Sequence, residues 1–175
     1  MEHRSNNMKN DITLQPVLPS EYGKLRVLAE TIWPVCYKNI LSGEQIAYMM
    51  DMMYSENVVS GEIAGGVRYY FILSNGDVSG YLSWGVSGES ENAAKLHKLY
   101  LLSEKHHQGI GSSAIAAVRE QAGDAGCRSL FLNVNRLNLN AIKCYEKNGF
   151  KIVREENNDI GNNFFMTDYV MKVDC

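Results

Sequence analysis

Apolar residues recur along this chain in two rhythms, one near 3.6 residues and one of two, and the changes between them mark out the elements. "ITLQPV", Ile12 to Val17, alternates as a short strand. From Ser20-Glu21 the spacing turns helical, with Leu25, Leu28, Ala29 and Ile32 on one face, and Pro34 predicts the stop because it cannot donate the next helical hydrogen bond. A second amphipathic helix is predicted from Ser42, which forms a capping-box pattern with Gln45 and leads into Ile46, Met49, Met50 and Met53. In "VRYYFILSNGDVSGYLSWGV" the period shortens to two. Asn75-Gly76 between apolar runs there predicts a type I′ hairpin with strands near 67–73 and 78–86. "AAKLHKLYLL" follows as a third strand, with Leu96, Tyr100 and Leu102 on one side and Lys95, His97, Leu99 and Leu101 on the other.

The helical period returns at Ile110, Ala114, Ile115, Val118 and Ala122, with Gly126 as the stop. "SLFLNV" is a buried strand, and "NLNAIKCYEKNGF" a helix with Ala141, Ile142 and Tyr145 on one face and Asn148-Gly149 as a left-handed cap. Two strands near 150–156 and 164–173 around the turn "NNDIGNN" form a closing antiparallel pair. The order is therefore strand, two helices, three strands, helix, strand, helix, two strands.

Composition narrows the classes. At 175 residues and 45% hydrophobic content, one domain over 11–175 is expected, with the first ten residues a flexible tail and Met8 an alternative start. Lys plus Arg is 17 against 20 Asp plus Glu, a net charge of −3, which argues against a nucleic-acid partner. No apolar run reaches the ~18 residues of a membrane span and the N-terminus lacks a secretory core, so no membrane partner and a cytoplasmic location are expected. The four cysteines, Cys36, Cys127, Cys144 and Cys175, have no metal-ligand spacing and read as reduced thiols, and no metal is expected.

The chemistry concentrates where the third strand meets the next helix, in "SEKHHQGIGSSAIAAVRE". Gly109-x-Gly111-x-x-Ala114 satisfies a dinucleotide-binding pattern. That pattern also needs a following strand ending in Asp or Glu, and "SLFLNVN" ends in Asn135. A P-loop is excluded because no Gly-Lys-Ser/Thr occurs. What remains is a strand entering a helix through glycines. Such a turn leaves backbone N–H groups at the positive end of the helix dipole, where a phosphate fits; alternatively the glycines only make a tight turn.

The second motif adds to this. "LHKLYLLSEKHHQGIGSSAI", followed after one strand by "NLNAIKCYEKNGF", resembles the GNAT superfamily of acetyl-CoA-dependent N-acetyltransferases. There a Gln/Arg-x-x-Gly-x-Gly/Ala segment holds the CoA pyrophosphate, here His106, His107, Gln108, Gly109, Ile110 and Gly111, continuing into Ser112. The accompanying pattern reads Asn138, Ala141, Tyr145, Gly149 and Phe150 and is complete, whereas His106 stands where the family has Gln or Arg. The resemblance implies an α/β fold with a mixed, mostly antiparallel splayed sheet of six to seven strands flanked by four helices. It also implies acetyl-CoA as co-substrate.

By resemblance, Tyr145 assists the leaving thiolate, exposed backbone at Leu99 and Leu101 pairs with the pantetheine arm and holds the oxyanion, and Asn138 hydrogen-bonds that arm or caps its helix. The family's base often comes as a Glu from the strand before the loop. This strand has none, so His97 is its candidate, with Glu91 or a water relay as alternatives. Trp33 and Tyr37 are candidate acceptor-wall residues. The implied acceptor is a primary amine, small as in polyamine and diamine acetyltransferases, or a peptide N-terminus; a CoA-binding module without catalysis is the rival. The C-terminal strand or the Met-rich helix could pair two subunits into a homodimer.

Overall fold

A computed structural model describes residues 11–88 and 90–175; the expected N-terminal tail lies outside them. The elements are β1 (Ile12–Pro16), α1 (Tyr22–Cys36), α2 (Gly43–Tyr54), α3 (Glu56–Ala64), β2 (Arg68–Ser74), β3 (Asp77–Val86) and β4 (Ala93–Leu101). They continue with α4 (Ile110–Asp124), β5 (Ser129–Asn135), α5 (Leu139–Lys147), β6 (Lys151–Gly161) and β7 (Phe164–Asp174). The strands form one seven-stranded sheet in the order β1-β2-β3-β4-β5-β7-β6. Its pairs are antiparallel except β4 with β5. One face carries α1, α2 and α3 over a core that includes Leu25, Trp33, Tyr54, Phe71 and Tyr81. The other carries α4 and α5 over Leu82, Trp84, Leu96, Ile115, Leu132 and Tyr145.

Local chemistry explains most element ends. Asn75 and Gly76 take φ of 53° and 83°, the left-handed pair of a type I′ turn. Gly126 at φ 85° follows α4, and Gly149 at φ 89° ends α5 while Phe150 N donates to Tyr145 O.

Several expectations are corrected. Pro34 does not end α1, which runs to Cys36 and closes with Tyr37 N on Trp33 O at 2.9 Å. One missing donor so near a helix end is offset by the burial of Ile32 and Trp33 in the same turns. Among the described residues there are five α-helices rather than four: the extra one, α3, starts where Ser55 turns extended, at φ −64° and ψ 147°, and ends α2. The capping box is half formed, since Gln45 N donates to Ser42 Oγ at 3.1 Å but the Gln45 amide reaches Phe165 O at 2.9 Å instead. "NNDIG" is strand, and only Asn162 and Asn163, at φ 53° and 60°, make the last turn.

The alternation assigned to β4 breaks at His97. Ser83 pairs with Lys98 and Trp84 with Leu96, so His97 is the extra residue of a bulge. Leu96 and Leu99 therefore share the α4 face, whereas Tyr100 and Leu102 join the α1 face with Lys98.

Gly80, opposite Leu101, is fixed by its neighbour. An added Cβ would lie 2.1 Å from Tyr100 O and 2.9 Å from Leu101 Cα, and a strand backbone cannot yield by that much. Gly80→Ala is expected to cost at least about 1–3 kcal/mol of stability, because it pushes β4 away from β3. Urea denaturation measures the loss.

Candidate active site

Strands β4 and β5 lie side by side only from Ala93 to Leu96 and Ser129 to Leu132. Beyond this β4 stays with β3 and β5 with β7, which opens a wedge in the sheet. Strand alternation decides which peptide groups face it. Leu102 N donates to Ser79 O at 2.9 Å, so Leu102, Tyr100 and Lys98 turn their peptide groups toward β3. Leu99 and Leu101 therefore turn theirs into the wedge. The wedge edge can pair with an extended amide-bearing chain as another strand would.

The loop from β4 to α4 closes the wide end of the wedge. A single 3-10 turn, Ser103–Lys105, is followed by His107 at φ 59° and by Gly109, the N-cap of α4, at φ 77° and ψ 0°. Two left-handed residues so close together, after the extended His106, curl the chain so that backbone N–H groups can converge on one concavity, a shape suited to anions. The first helical bond is Ser113 N to Gly109 O at 3.0 Å, so the amides of Ile110, Gly111 and Ser112 stand outside the helix ladder, at the positive end of its dipole. A methyl on Gly111 would meet Leu101 Cδ1 at 3.7 Å and Cys144 Sγ at 3.8 Å, which is ordinary contact. Packing within the chain does not demand glycine there.

The side chains of this loop brace it. His106 Nε2 lies 3.1 Å from Leu101 O, Gln108 donates to Glu104 O at 2.7 Å, and Ser112 Oγ accepts from Asn148 at 3.0 Å. His106 thus folds back on the end of β4 and partners one of the carbonyls that face the wedge.

Tyr145 enters from α5. Its ring is 9% exposed and packs edge-on against Phe150, with centroids 5.6 Å apart. Burial raises its pKa, and Cys144 and Cys36 add to the rise. Asn138 caps α5, accepting from Ala141 N at 3.3 Å, and its amide also points at Cys36 Sγ, 3.8 Å away. Burial raises the Cys36 thiol against the opposing Asn138 bond. Tyr37 follows Cys36, and its hydroxyl pairs with that of Tyr100 at 2.8 Å. The electrostatic influence of Tyr145 reaches both Tyr37 and Tyr100, so the end of α1, the second half of β4 and α5 converge beside the wedge.

Sequence reasoning missed Tyr100 and Cys36 as members of this cluster. Tyr100 lost its place because the bulge was unread, and nothing local marks Cys36, which α1 reaches only by continuing through Pro34.

The wall proper is aromatic and closed. Trp33 is fully buried, donates to Tyr81 OH at 3.0 Å and touches Tyr37, Tyr54 and Tyr100 with its ring. Tyr54 and Tyr81 share a hydroxyl bond of 2.5 Å. In this structure Trp33 offers no exposed face to an acceptor, and Tyr37 is 9% exposed. Behind them Lys98, buried to 3%, donates to Tyr69 OH at 2.8 Å and Glu62 at 3.3 Å, while Tyr69 also bonds Glu62.

The base candidates separate. His97 projects from the bulge with an exposed side chain, yet crowding of its ring, then the charges of Lys98 and Lys95, lower its pKa to about 4 against the pull of Glu62. Glu91 precedes the paired end of β4, some six residues or roughly 20 Å of strand from the bulge, so the structure does not bring it to the wedge.

On the helix-bearing side, the tip of the β6–β7 hairpin is strapped to α2. Gln45 reaches Phe165 O and Tyr48 OH donates to Ile160 O at 2.7 Å, with the Tyr48 and Phe164 rings 5.5 Å apart. Between α1, α2 and this hairpin the sheet floor is polar, with Asn133 and Asn135 of β5, Glu156 of β6 and Asp168 of β7. Among the described residues no helix is long and apolar enough to cross a membrane, and no group of three or more His, Cys, Asp or Glu could hold a metal ion.

The model of the acetyltransferase (GNAT) family matches residues 30–150. An uncharacterized N-acetyltransferase from the pepI 3′ region of Lactobacillus delbrueckii subsp. lactis is 27% identical over 137 residues, covering 75% of this chain and 79% of that protein. An uncharacterized N-acetyltransferase of Mycobacterium tuberculosis is 28% identical over 130 residues, covering 74% and 82%. Among solved structures, the PaiA N-acetyltransferase of Thermoplasma acidophilum in complex with coenzyme A superposes with a TM-score of 0.78 at 23% identity, covering 94% of this chain and 99% of that one. The ribosomal-protein-S18-alanine N-acetyltransferase of Escherichia coli gives 0.67 at 15% identity, covering 94% of each. At these identities the structural likenesses establish the fold.

Proposed function

The chain belongs to the acetyltransferase (GNAT) family, whose match spans more than half of its length, and from that premise we propose that residues 11–175 act as one unit that acetylates a small primary amine. That it is an N-acetyltransferase dependent on acetyl-CoA follows from the family and the related proteins. The acceptor and the residue roles are our reading. The observation that carries them is the wedge: Leu99 and Leu101 face it with free-running strand backbone, the amide concavity of 107–112 lies at its wide end, and Tyr145 stands at its flank.

In this reading the amides of Gly109, Ile110, Gly111 and Ser112 hold the pyrophosphate, with His106, His107 and Gln108 shaping the loop around them. Leu99 and Leu101 pair with the pantetheine amides, and Asn138 adds a side-chain contact while capping α5. One wedge-facing N–H, that of Leu99 beside the bulge, stabilises the oxyanion that develops as the amine attacks the thioester carbon. Tyr145 donates a hydrogen bond to the departing sulfur.

The amine sheds its proton through a water relay to bulk buffer before it attacks, so the neutral fraction reacts and no side chain is assigned as base. His97, its pKa lowered to about 4 by crowding and then by the charges of Lys98 and Lys95, is a weaker base than an ordinary imidazole and is given no part in the step. Tyr37 and Tyr100 line the acceptor approach, with Trp33 behind them as support. A small acceptor is favoured over a peptide by the strapped hairpin, which narrows the approach between α2 and β7.

Thiol release from acetyl-CoA, measured against alkylamines, diamines, polyamines, amino acids, aminoglycosides and short peptides, tests this. Turnover with small amines and little with peptides is the expected result. Acetyl-CoA binding without thiol release for any acceptor would replace it with a non-catalytic CoA-binding module.

A further inference from the structure

Of the polar floor, which the reading above leaves unused, Asp168 carries a buried oxygen without a partner. Its side chain is 2% exposed, and its Oδ1 has no hydrogen-bond partner among the described residues. An acceptor oxygen buried without a donor costs about 1–3 kcal/mol, more when charged, so a chain keeps one only where something outside it supplies the donor or where the carboxyl holds a proton.

The neighbours do not discharge it. Glu156, its partner in β6, is paired with Arg154 at 2.7 Å and accepts from Asn133 at 2.9 Å. Arg136 is engaged with Glu155 at 2.9 Å. Lys95 and Arg136 act on Asp168 only through space, Glu156 opposes them, and Asn133 leans on it with a hydrogen bond. Among the described residues no ion pair within 4.0 Å reaches Asp168, although each arginine around it has a carboxylate of its own.

Its position gives this charge a use. Leu96 pairs with Leu132 and the bulge at His97 takes up one residue, so Leu99 stands near the level of Val134 and Tyr100 near that of Asn135, and Asn135 pairs with Asp168. From the wedge, Asp168 lies one strand beyond β5, so its backbone is about 10 Å or more from that of Leu99 by strand spacing alone. It projects on the α1 and α2 side with Met166 and Val170, the face that also carries Tyr37 and Tyr100.

We infer that Asp168 receives a second ammonium group of the acceptor, and that the acceptors are α,ω-diamines or longer polyamines whose nitrogens are separated by about three to five carbons. This rests on the acetyltransferase reading and sharpens it. The bound ammonium supplies the donor that Oδ1 lacks, and the chain between the nitrogens spans from Asp168 to the wedge. Burial, the first cause, raises the Asp168 pKa, as expected for a carboxyl that lacks its cation.

The test compares the wild type with Asp168→Asn, which keeps shape and removes charge. With 1,4-diaminobutane and spermidine, KM is expected to rise 30- to 100-fold while KM for n-butylamine and the acetyl-CoA Kd change less than threefold. The variant's melting temperature is expected to hold or rise, since an uncompensated buried charge is gone. An unchanged diamine KM, or a fall in stability with unchanged kinetics, overturns the inference and leaves acetyl transfer standing. Should the wild type release no thiol with any amine, calorimetric titration of the CoA-loaded proteins with 1,4-diaminobutane decides: binding to the wild type at least tenfold tighter than to Asp168→Asn upholds the site, and equal or absent binding overturns it.

Discussion

Tyr145→Phe is expected to slow thiol release by one to three orders of magnitude and to leave the acetyl-CoA Kd within about threefold. The ring carries the packing, since it is its edge against Phe150 and the core under α5 that hold the residue in place; phenylalanine preserves both. What is lost is one donor at the sulfur. In the ordinary ranges a phenol near ~10 is a weaker acid than a thiol near ~8.5, which already makes full proton transfer uphill by roughly 2 kcal/mol. Burial raises Tyr145 further, so its contribution is a hydrogen bond to developing charge and not a completed transfer. The predicted loss corresponds to about 1.4–4 kcal/mol of transition-state stabilisation. Single-turnover measurement of thiol release isolates the step. A wild-type rate in the variant removes Tyr145 from the chemistry.

Raising the pH is expected to unfold the protein steeply above pH 10. Tyr37, Tyr54, Tyr69, Tyr81, Tyr100 and Tyr145 all have pKa values raised, in each case first by burial. In the unfolded chain they ionise near 10. A raised folded pKa means that the folded state keeps its protons while the unfolded state sheds them. The resulting stabilisation is therefore complete below pH 10 and is lost as pH climbs toward the folded values. Each such tyrosine contributes a slope of about 1.4 kcal/mol per pH unit, and six together approach 8, enough to exhaust a stability of ~5–15 kcal/mol within one to two pH units. Lys98 works the other way. Burial lowers its pKa, so the unfolded chain binds the extra proton and stability rises with pH up to about 10.5. The tyrosinate absorbance of the folded protein should stay low and then jump with loss of circular dichroism; a smooth titration near pH 10 with the fold intact contradicts the closed tyrosine wall.

How far the sequence carried is clearest at the two motifs. Asn75-Gly76, the glycines of the β4–α4 loop and the Asn148-Gly149 cap demand backbone angles that few residues supply, and each sits where those residues predict. The stripe of Ile110, Ala114, Ile115, Val118 and Ala122 is the buried face of α4 for the same local reason. What escaped depends on residues far apart. The bulge at His97 is a property of the β3–β4 pairing, and without it Leu96, Lys98 and Tyr100 would share a face. Helix α3 was overlooked because its weak amphipathic pattern buries only Val59. Of the residues proposed for the site, Leu99, Leu101 and the loop are suggested by the family pattern, whereas Asp168 draws notice only through β5 and β6 on either side.

The two straps between α2 and the hairpin join residues 120 and 112 positions apart, Gln45 with Phe165 and Tyr48 with Ile160. Closing loops of that length is slow, and such contacts form after the local helices and hairpins. Interactions formed after the folding barrier govern the rate of escape from the native state more than the rate of reaching it. The seam between α2 and the β6–β7 hairpin is thus fastened last as the chain folds and is the first part free to loosen, so Tyr48→Phe should quicken unfolding and leave refolding nearly untouched.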